Sequence, residues 1–327
     1  MKAVTYHNYG APEVLAVEEV EKPTPGQGEL LIRIHAATVS AADCAFRRGD
    51  PLARLFMGLT GPKRPVLGTA FAGQIEAVGP GVVRFAVGDQ VFAAADDDFG
   101  AHAEYLCMPE DGAVALKPIN VDFAEAAAAS AGAMTALPFL RDEAELQPGQ
   151  RVLINGAMGS VGSAAIQLAK HYGAIVTGVG STRNLDLMRS LGADAVIDRS
   201  EGDFTHTGGT YEVIFDAVGK SSFSRCKHML APGGVYLSTV PSLALMIQVL
   251  WTSRFGDRRA KVAFAGLRTP AEKTKDLVFL RALIEAGALK GFIDARYPME
   301  RAAEAHQLVD TGHKRGQVVM ELSASPS

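Results

Sequence analysis

One segment, RVLINGAMGSVGSAAIQLAK (residues 151–170), constrains this chain more than any other. Val152 to Asn155 is a short apolar run of the kind that forms a buried strand. Gly156, Gly159 and Gly162 follow at three-residue spacing, with Ser160 and Val161 between the last two. A helix is predicted over 161–172, because Val161, Ala165, Leu168 and Tyr172 fall on one stripe. A second strand is predicted at Ile175 to Val179. Strand, glycine turn, helix and strand in this order form a dinucleotide-binding unit. The glycines let the backbone turn sharply and let a pyrophosphate approach the N–H groups and positive dipole at the helix start.

The end of the second strand bears on which dinucleotide. Sites for the unphosphorylated carrier place an acid there to accept from the ribose 2′-hydroxyl. This chain has Gly180-Ser181-Thr182-Arg183-Asn184 and no acid. A carboxylate would repel a 2′-phosphate, whereas Ser181 and the Arg183 guanidinium would bind one, the latter with charge assistance. Arg199, after a third predicted strand at Ala195 to Asp198, adds a second candidate cation. The expected cofactor is therefore NADP(H), although either arginine alone also reads as an ordinary solvated charge.

Around this unit, strands at Val213–Phe215, Val235–Thr239 and Lys261–Ala265 alternate with predicted helices. That pattern belongs to a doubly wound parallel sheet. Residues 1–121 read instead as short strands closed by turns such as Val78-Gly79-Pro80-Gly81, a small irregular β-barrel or sheet. The alternation of Leu30, Ile32 and Ile34 marks a strand with one buried side. The alanine-rich run 122–140 reads as a tightly packing helix. The expected organisation is thus an α/β chain: residues 1–121 a substrate domain, 122–270 the dinucleotide domain, and 271–327 a tail returning to the first. At 327 residues the chain exceeds the ~250–300 at which single cores split.

Composition narrows the partners. With 48 % apolar and 21 % charged residues the chain is not of disordered type, and a net charge of −4 offers no basic field for nucleic acid. Three scattered cysteines, Cys44, Cys107 and Cys226, fit neither a disulfide framework nor a paired-cysteine zinc site. The opening MKAVTYHNYG has no apolar signal core, so a cytoplasmic location is expected. Leu243–Trp251 is too short to span a bilayer. It reads as a buried helix, with a roof over the substrate or a subunit contact as alternatives. No membrane partner is expected. Asp96-Asp97-Asp98 reads as a solvated loop, and His7, His171, His206, His228, His306 and His313 as surface or packing residues.

Taken in order, VSAADCAFRRG, PVLGTAFAGQIEAVGPGV, FAVGDQVF, the glycine loop, GVGSTRNLDLMRSLGADAVID, VIFDAVG and GHKRGQVVM resemble the medium-chain dehydrogenase/reductase superfamily, and within it the zinc-independent quinone oxidoreductase branch. The resemblance runs from end to end. It implies a GroES-like substrate domain and a Rossmann domain, with the nicotinamide between them, and a homodimer. It implies that Gly156–Gly162 hold the pyrophosphate and that Ser181, Arg183 and Arg199 hold the 2′-phosphate. Thr135 would lie at the nicotinamide end, Phe215–Gly219 (with Val218) would line the cofactor, and Lys314 and Arg315 would reach back to its phosphate.

Zinc members of the superfamily carry V-C-x-x-D and G-H-E. Here the matching segments are Val39-Ser40-Ala41-Ala42-Asp43 and Gly68-Thr69-Ala70, so the thiolate and the imidazole are replaced. No metal is expected. A rival set of Asp43, Cys44, His35 and His102 has no helical or hairpin spacing to join it. Without a Lewis acid, hydride delivery suits an already activated acceptor, a quinone or an α,β-unsaturated carbonyl. Ser40, Asp43, Tyr6 or water would bring the proton. Many zinc-free relatives have N-P-x-D and G-x-D-F-A-G where this chain has Ser40-Ala41-Ala42-Asp43 and Gly68-Thr69-Ala70-Phe71-Ala72-Gly73, so Ser40 and Asp43 also read as packing and cap residues. The alternatives are an NADP-dependent alcohol dehydrogenase, an enoyl-thioester reductase, or an NADPH-binding redox-sensor or partner module with little catalysis.

Overall fold

The computed structural model describes residues 1–95 and 99–322, so Asp96-Asp97-Asp98 lies outside the described residues. The chain forms two compact units, Met1–Ala131 with Arg268–Ser327, and Gly132–Leu267. The first division falls inside the alanine-rich helix Phe123–Pro138, not ahead of it at residue 122 as expected. The second falls just before the helix Pro270–Glu285. A helix is continuous in hydrogen bonding, so texture in sequence does not mark where its contacts change hands.

The Gly132–Leu267 unit is built on a six-stranded parallel sheet. Its strands are β1 (Arg151–Asn155), β2 (Ile175–Gly180), β3 (Ala195–Asp198), β4 (Tyr211–Asp216), β5 (Leu230–Ser238) and β6 (Arg259–Lys261), in spatial order 3-2-1-4-5-6. This is the doubly wound dinucleotide-binding order, with its switch point between β1 and β4. Asn155 pairs with Val179 on one side and Asp216 on the other, so the carboxyl ends of β1, β2 and β4 finish level. Val152, Leu153 and Ile154 are all fully buried, as befits a central parallel strand covered on both faces. The helices are α1 (Ser160–His171), α2 (Leu185–Ser190), α3 (Phe223–Cys226) and α4 (Leu243–Thr252).

Three expectations change here. The last strand is Arg259–Lys261, not Lys261–Ala265. Its pairing with Val235–Leu237 ends at Lys261, and Ala265–Leu267 turns as a 3-10 segment. The predicted helix between the strands at Val213–Phe215 and Val235–Thr239, which the sequence suggests from about Ser221 to Leu230, ends at Cys226, and Leu230 already belongs to β5. The segment Leu243–Trp251 is helical but not buried: only Leu245 and Thr252 of α4 are buried.

In the other unit, strands Glu29–Val39, Ala70–Val78, Gln90–Ala94, Tyr105–Pro109 and Val114–Leu116 pair antiparallel. The tail supplies Gln317–Glu321, antiparallel to Glu29–Val39, and Ile293–Pro298 beside it. Glu29–Val39 is buried on both faces, not one. Leu30, Ile32 and Ile34 pack in the main core, while Ala36 packs with Ala124, Ala128 and Val319. The stripe Leu277, Leu280 and Ile284 of Pro270–Glu285 is buried as its helical spacing requires.

Candidate functional site

The glycine loop is closed by contacts that only glycine allows. Gly156 has φ +76°, and a Cβ there would stand 2.4 Å from Val218 Cγ1. A Cβ on Gly162 would stand 2.2 Å from the Gly156 carbonyl oxygen. Gly159 is the N-cap of α1 and supplies no side-chain cap. The Ala157 N–H donates to the Val179 carbonyl at 3.1 Å, which ties the loop to the end of β2. The first turn of α1 thus begins with no side-chain cap, and the loop's own side chains, Ala157 and Met158, are buried. Its dipole and N–H groups suit an anion.

Two supports of this loop escape sequence reasoning. A Cβ on Gly132 would stand 2.1 Å from the Ser160 carbonyl oxygen, so the helix carrying Thr135 packs directly against the start of α1. Thr135 itself is half-buried, one turn further on. The only signal for this contact is a glycine inside an alanine-rich helix. The second support is Asp216, fully buried at the end of β4. Its carboxylate accepts from Asn155 Nδ2 (3.0 Å), the Ser221 N–H (2.7 Å), the Tyr236 hydroxyl (3.1 Å) and the Val218 N–H (3.3 Å). Those donors fold the turn after β4 and set Val218 over Gly156. Burial, then the Asp216 charge, push the Tyr236 phenol well above its ordinary range, so it stays a donor. A hydrogen bond to a charged group of this kind is worth about 1.5–3 kcal/mol.

At the end of β2, Ser181 Oγ accepts from Asn184 Nδ2 at 3.2 Å, and Arg183 is exposed. The Arg199 N–H donates to the Gly180 carbonyl at 2.8 Å. The β2–β3 register therefore brings the Arg199 backbone to the end of β2, next to Ser181 in the chain. It also brings an acid that sequence inspection of β2 alone misses. Asp198 Oδ1 accepts from Ser200 N (2.9 Å) and Oγ (2.7 Å), and Ser200 Oγ in turn meets Thr182 Oγ at 2.9 Å. Ser200 and then Thr182 hold the Asp198 carboxyl below its ordinary range. The carboxylate buttresses the turn with its donors already in place.

The Ser40–Asp43 corner is built differently. Ser40 is the N-cap of the helix Ala41–Arg48, with a complete capping box. Ser40 Oγ donates to Asp43 Oδ2 at 2.5 Å, Ser40 N–H donates to the same oxygen at 2.8 Å, and Asp43 N–H donates to Ser40 Oγ at 3.1 Å. The other carboxylate oxygen accepts the Gly68 N–H at 3.1 Å. Asp43 is buried with both oxygens engaged, so the geometry gives it a capping role and does not present it as an acid. Tyr6 is fully buried, and burial holds its phenol well above its ordinary range, so it is no ready proton donor.

Among the described residues of this unit, the positions expected to carry zinc donors hold other side chains. Ser40 and Thr69 stand where a thiolate and an imidazole would be needed. Cys44 Sγ meets His306 Nδ1 at 3.4 Å, and the His306 ring lies edge-on to His102 at 5.8 Å. Chain distance had separated these residues, and folding gathers them. His35, from the same rival set, stacks on Phe123 at 4.3 Å instead. Burial pushes the Cys44 thiol far up, so it stays protonated beside His306. Among the described residues no three His, Cys, Asp or Glu side chains converge. Arg315, expected to reach the cofactor, places its Nε on Asp294 at 3.2 Å and its N–H on the same carboxylate at 2.9 Å. Lys314 Nζ donates to the Gly316 carbonyl.

Comparison with known proteins agrees with this architecture. Residues 26–118 match the alcohol dehydrogenase GroES-like domain and residues 191–320 a zinc-binding dehydrogenase domain. The chain is 32 % identical to an NADPH-dependent alkenal/one oxidoreductase of Arabidopsis thaliana, over 98 % of this chain and 79 % of that one. It is 31 % identical to a quinone oxidoreductase of Pseudomonas aeruginosa, over 98 % and 99 %. The structure of a quinone oxidoreductase from Coxiella burnetii superposes with TM-score 0.88 at 28 % identity, over 99 % of both chains.

Proposed function

The chain belongs to the medium-chain dehydrogenase/reductase superfamily, in its quinone oxidoreductase-like branch, and we propose that it is an NADPH-dependent reductase of quinones or α,β-unsaturated carbonyls. The observation that carries the reading is the start of α1, without a side-chain cap, at Gly156, Gly159 and Gly162, with the Arg199 backbone bonded to Gly180 at the end of β2. The name of the Arabidopsis relative supports the phosphorylated cofactor. Gly156–Gly162 would hold the pyrophosphate, Ser181, Arg183 and Arg199 the 2′-phosphate, and Val218 would cover the loop. NADPH, when bound, supplies the hydride. The protein contributes orientation and a low-dielectric setting. Ser40 and Asp43 hold the local backbone, and water supplies the proton to the reduced acceptor.

Stopped-flow oxidation of NADPH against a panel of quinones and enones tests this. Turnover with at least one class is expected, with NADH much slower. A second reading has its own observation: the Ser40–Asp43 pair spends its polar atoms on itself. Tight NADPH binding with no hydride transfer to any acceptor would select a cofactor-binding module instead.

A further inference from the structure

Hydrogen bonding at the end of β2 fixes where each hydroxyl proton goes. Ser181 is the N-cap of the 3-10 turn Thr182–Asn184, and the Asn184 N–H closes that turn on the Ser181 carbonyl at 2.8 Å. Ser181 and Thr182 each carry one hydroxyl proton. Their surroundings dispose of the two protons in opposite ways.

The Thr182 proton is spent inward. Asp198 ends β3 in register with Gly180, so an acid from the neighbouring strand stands level with the turn. A carboxylate only accepts, and the Ser200 hydroxyl donates to Asp198 Oδ1 at 2.7 Å. Ser200 Oγ then has only lone pairs left for Thr182 Oγ1, 2.9 Å away, so Thr182 is the donor of that bond. What the exposed Thr182 keeps for an outside group is an acceptor. The Ser181 proton is not spent. Ser181 Oγ accepts from Asn184 Nδ2 at 3.2 Å, and among the described residues nothing accepts from it in return. Consecutive residues thus present a donor and then an acceptor.

The adenosine ribose of a phosphorylated dinucleotide has the complementary pair on adjacent carbons. Its 2′-phosphate is an acceptor and its 3′-hydroxyl is a donor. We propose that Ser181 donates to the 2′-phosphate while Thr182 accepts from the 3′-hydroxyl. Asn184 and Asp198 are positioning residues: the first leaves Ser181 its proton, and the second takes the proton of Thr182 through Ser200. This assignment rests on NADP(H) being the cofactor, and it adds a reader for the 3′-hydroxyl.

Isothermal titration separates the two roles. The parent protein should bind NADP about fivefold more tightly than NADP lacking the adenosine 3′-hydroxyl, the scale of one hydrogen bond. That comparison needs no variant. Thr182→Val keeps the shape and removes the oxygen, so it should bind the two forms alike. Ser181→Ala should weaken NADP about tenfold, leave NAD unchanged and keep the gap between the two riboses. Circular dichroism melting checks that both variants are folded. A parent with no gap overturns the Thr182 role, as does a gap that survives Thr182→Val. If Ser181→Ala binds NADP as the parent does, the Ser181 proton is spent on a reversed Asn184 amide, and the Ser181 role is overturned. Each of those results leaves a preference for NADP over NAD intact. A parent that binds NADP no better than NAD removes the cofactor reading itself, and this assignment with it.

Discussion

The two corners that the sequence marks as candidate sites both lie at helix N-termini, and they end in opposite states. The helix Ser160–His171 begins after Gly159, which has no side chain to cap it. The helix Ala41–Arg48 begins after Ser40, which caps it completely with Asp43. Both start with backbone donors that the helix ladder itself does not satisfy and with the same dipole. One has no side-chain cap, the state that our proposed cofactor site requires. The other has satisfied those donors internally, so its serine and aspartate stabilise the fold.

The largest effect that would break this comparison lies in the glycine loop. Gly162→Ala sets a Cβ against the Gly156 carbonyl, a backbone atom that cannot give way. NADPH affinity should fall on the order of 100-fold by isothermal titration. Gly159→Ala meets its nearest atom at 3.4 Å, an ordinary contact, and should cost far less. Equal losses would mean that the loop is merely a tight turn.

Next come the cations. Arg183→Ala and Arg199→Ala should each weaken NADPH about tenfold, the scale of one charge-assisted hydrogen bond, and leave NADH unchanged. If both cofactors weaken alike, the arginines do not read the 2′-phosphate. At the capped corner, Ser40→Ala should lower stability by about 1 kcal/mol in urea unfolding, with kcat within a few-fold of the parent. A hundredfold loss of kcat at unchanged stability would make the corner catalytic and dissolve the contrast.

The smallest expected effect is acid sensitivity of the Met1–Ala131 and Arg268–Ser327 unit. Burial, with His102 and Arg47 nearby, holds the His306 imidazole well below its ordinary pKa of 6.5. The folded state therefore keeps it neutral, while the unfolded chain takes up a proton below pH 6.5. Stability is full above that value and declines as pH falls beneath it. The urea midpoint should be lower at pH 5 than at pH 7, and His306→Gln should reduce the difference. A pH-independent midpoint would place His306 in contact with solvent.

Much of the Rossmann unit was legible because its signals are local. Gly156, Gly159 and Gly162 sit on one turn, and the β3 bounds at Ala195–Asp198 follow from a short apolar run between turns. Arg199 was legible as a cation, but its place beside Gly180 depends on the β2–β3 register. Asp198 and Asp216 were missed as site supports for the same reason, since their partners come from other strands or turns. The exposure of Leu243, Ile247, Leu250 and Trp251 was misjudged because apolar content says that a helix wants cover without saying whether the fold provides it.

By itself, then, the order of residues determined the cofactor loop, the alternation of strands and helices, and the loss of thiolate and imidazole at the zinc positions. Each of these is written within a few consecutive residues, where spacing and chemistry act directly. Only the tertiary structure decided that Ser40 and Asp43 close on one another with Gly68, that the tail adds strands beside Glu29–Val39, and that α4 presents its apolar stripe outward. Those outcomes depend on which distant segments arrive as neighbours, and sheet register and packing set that only when the whole chain has folded.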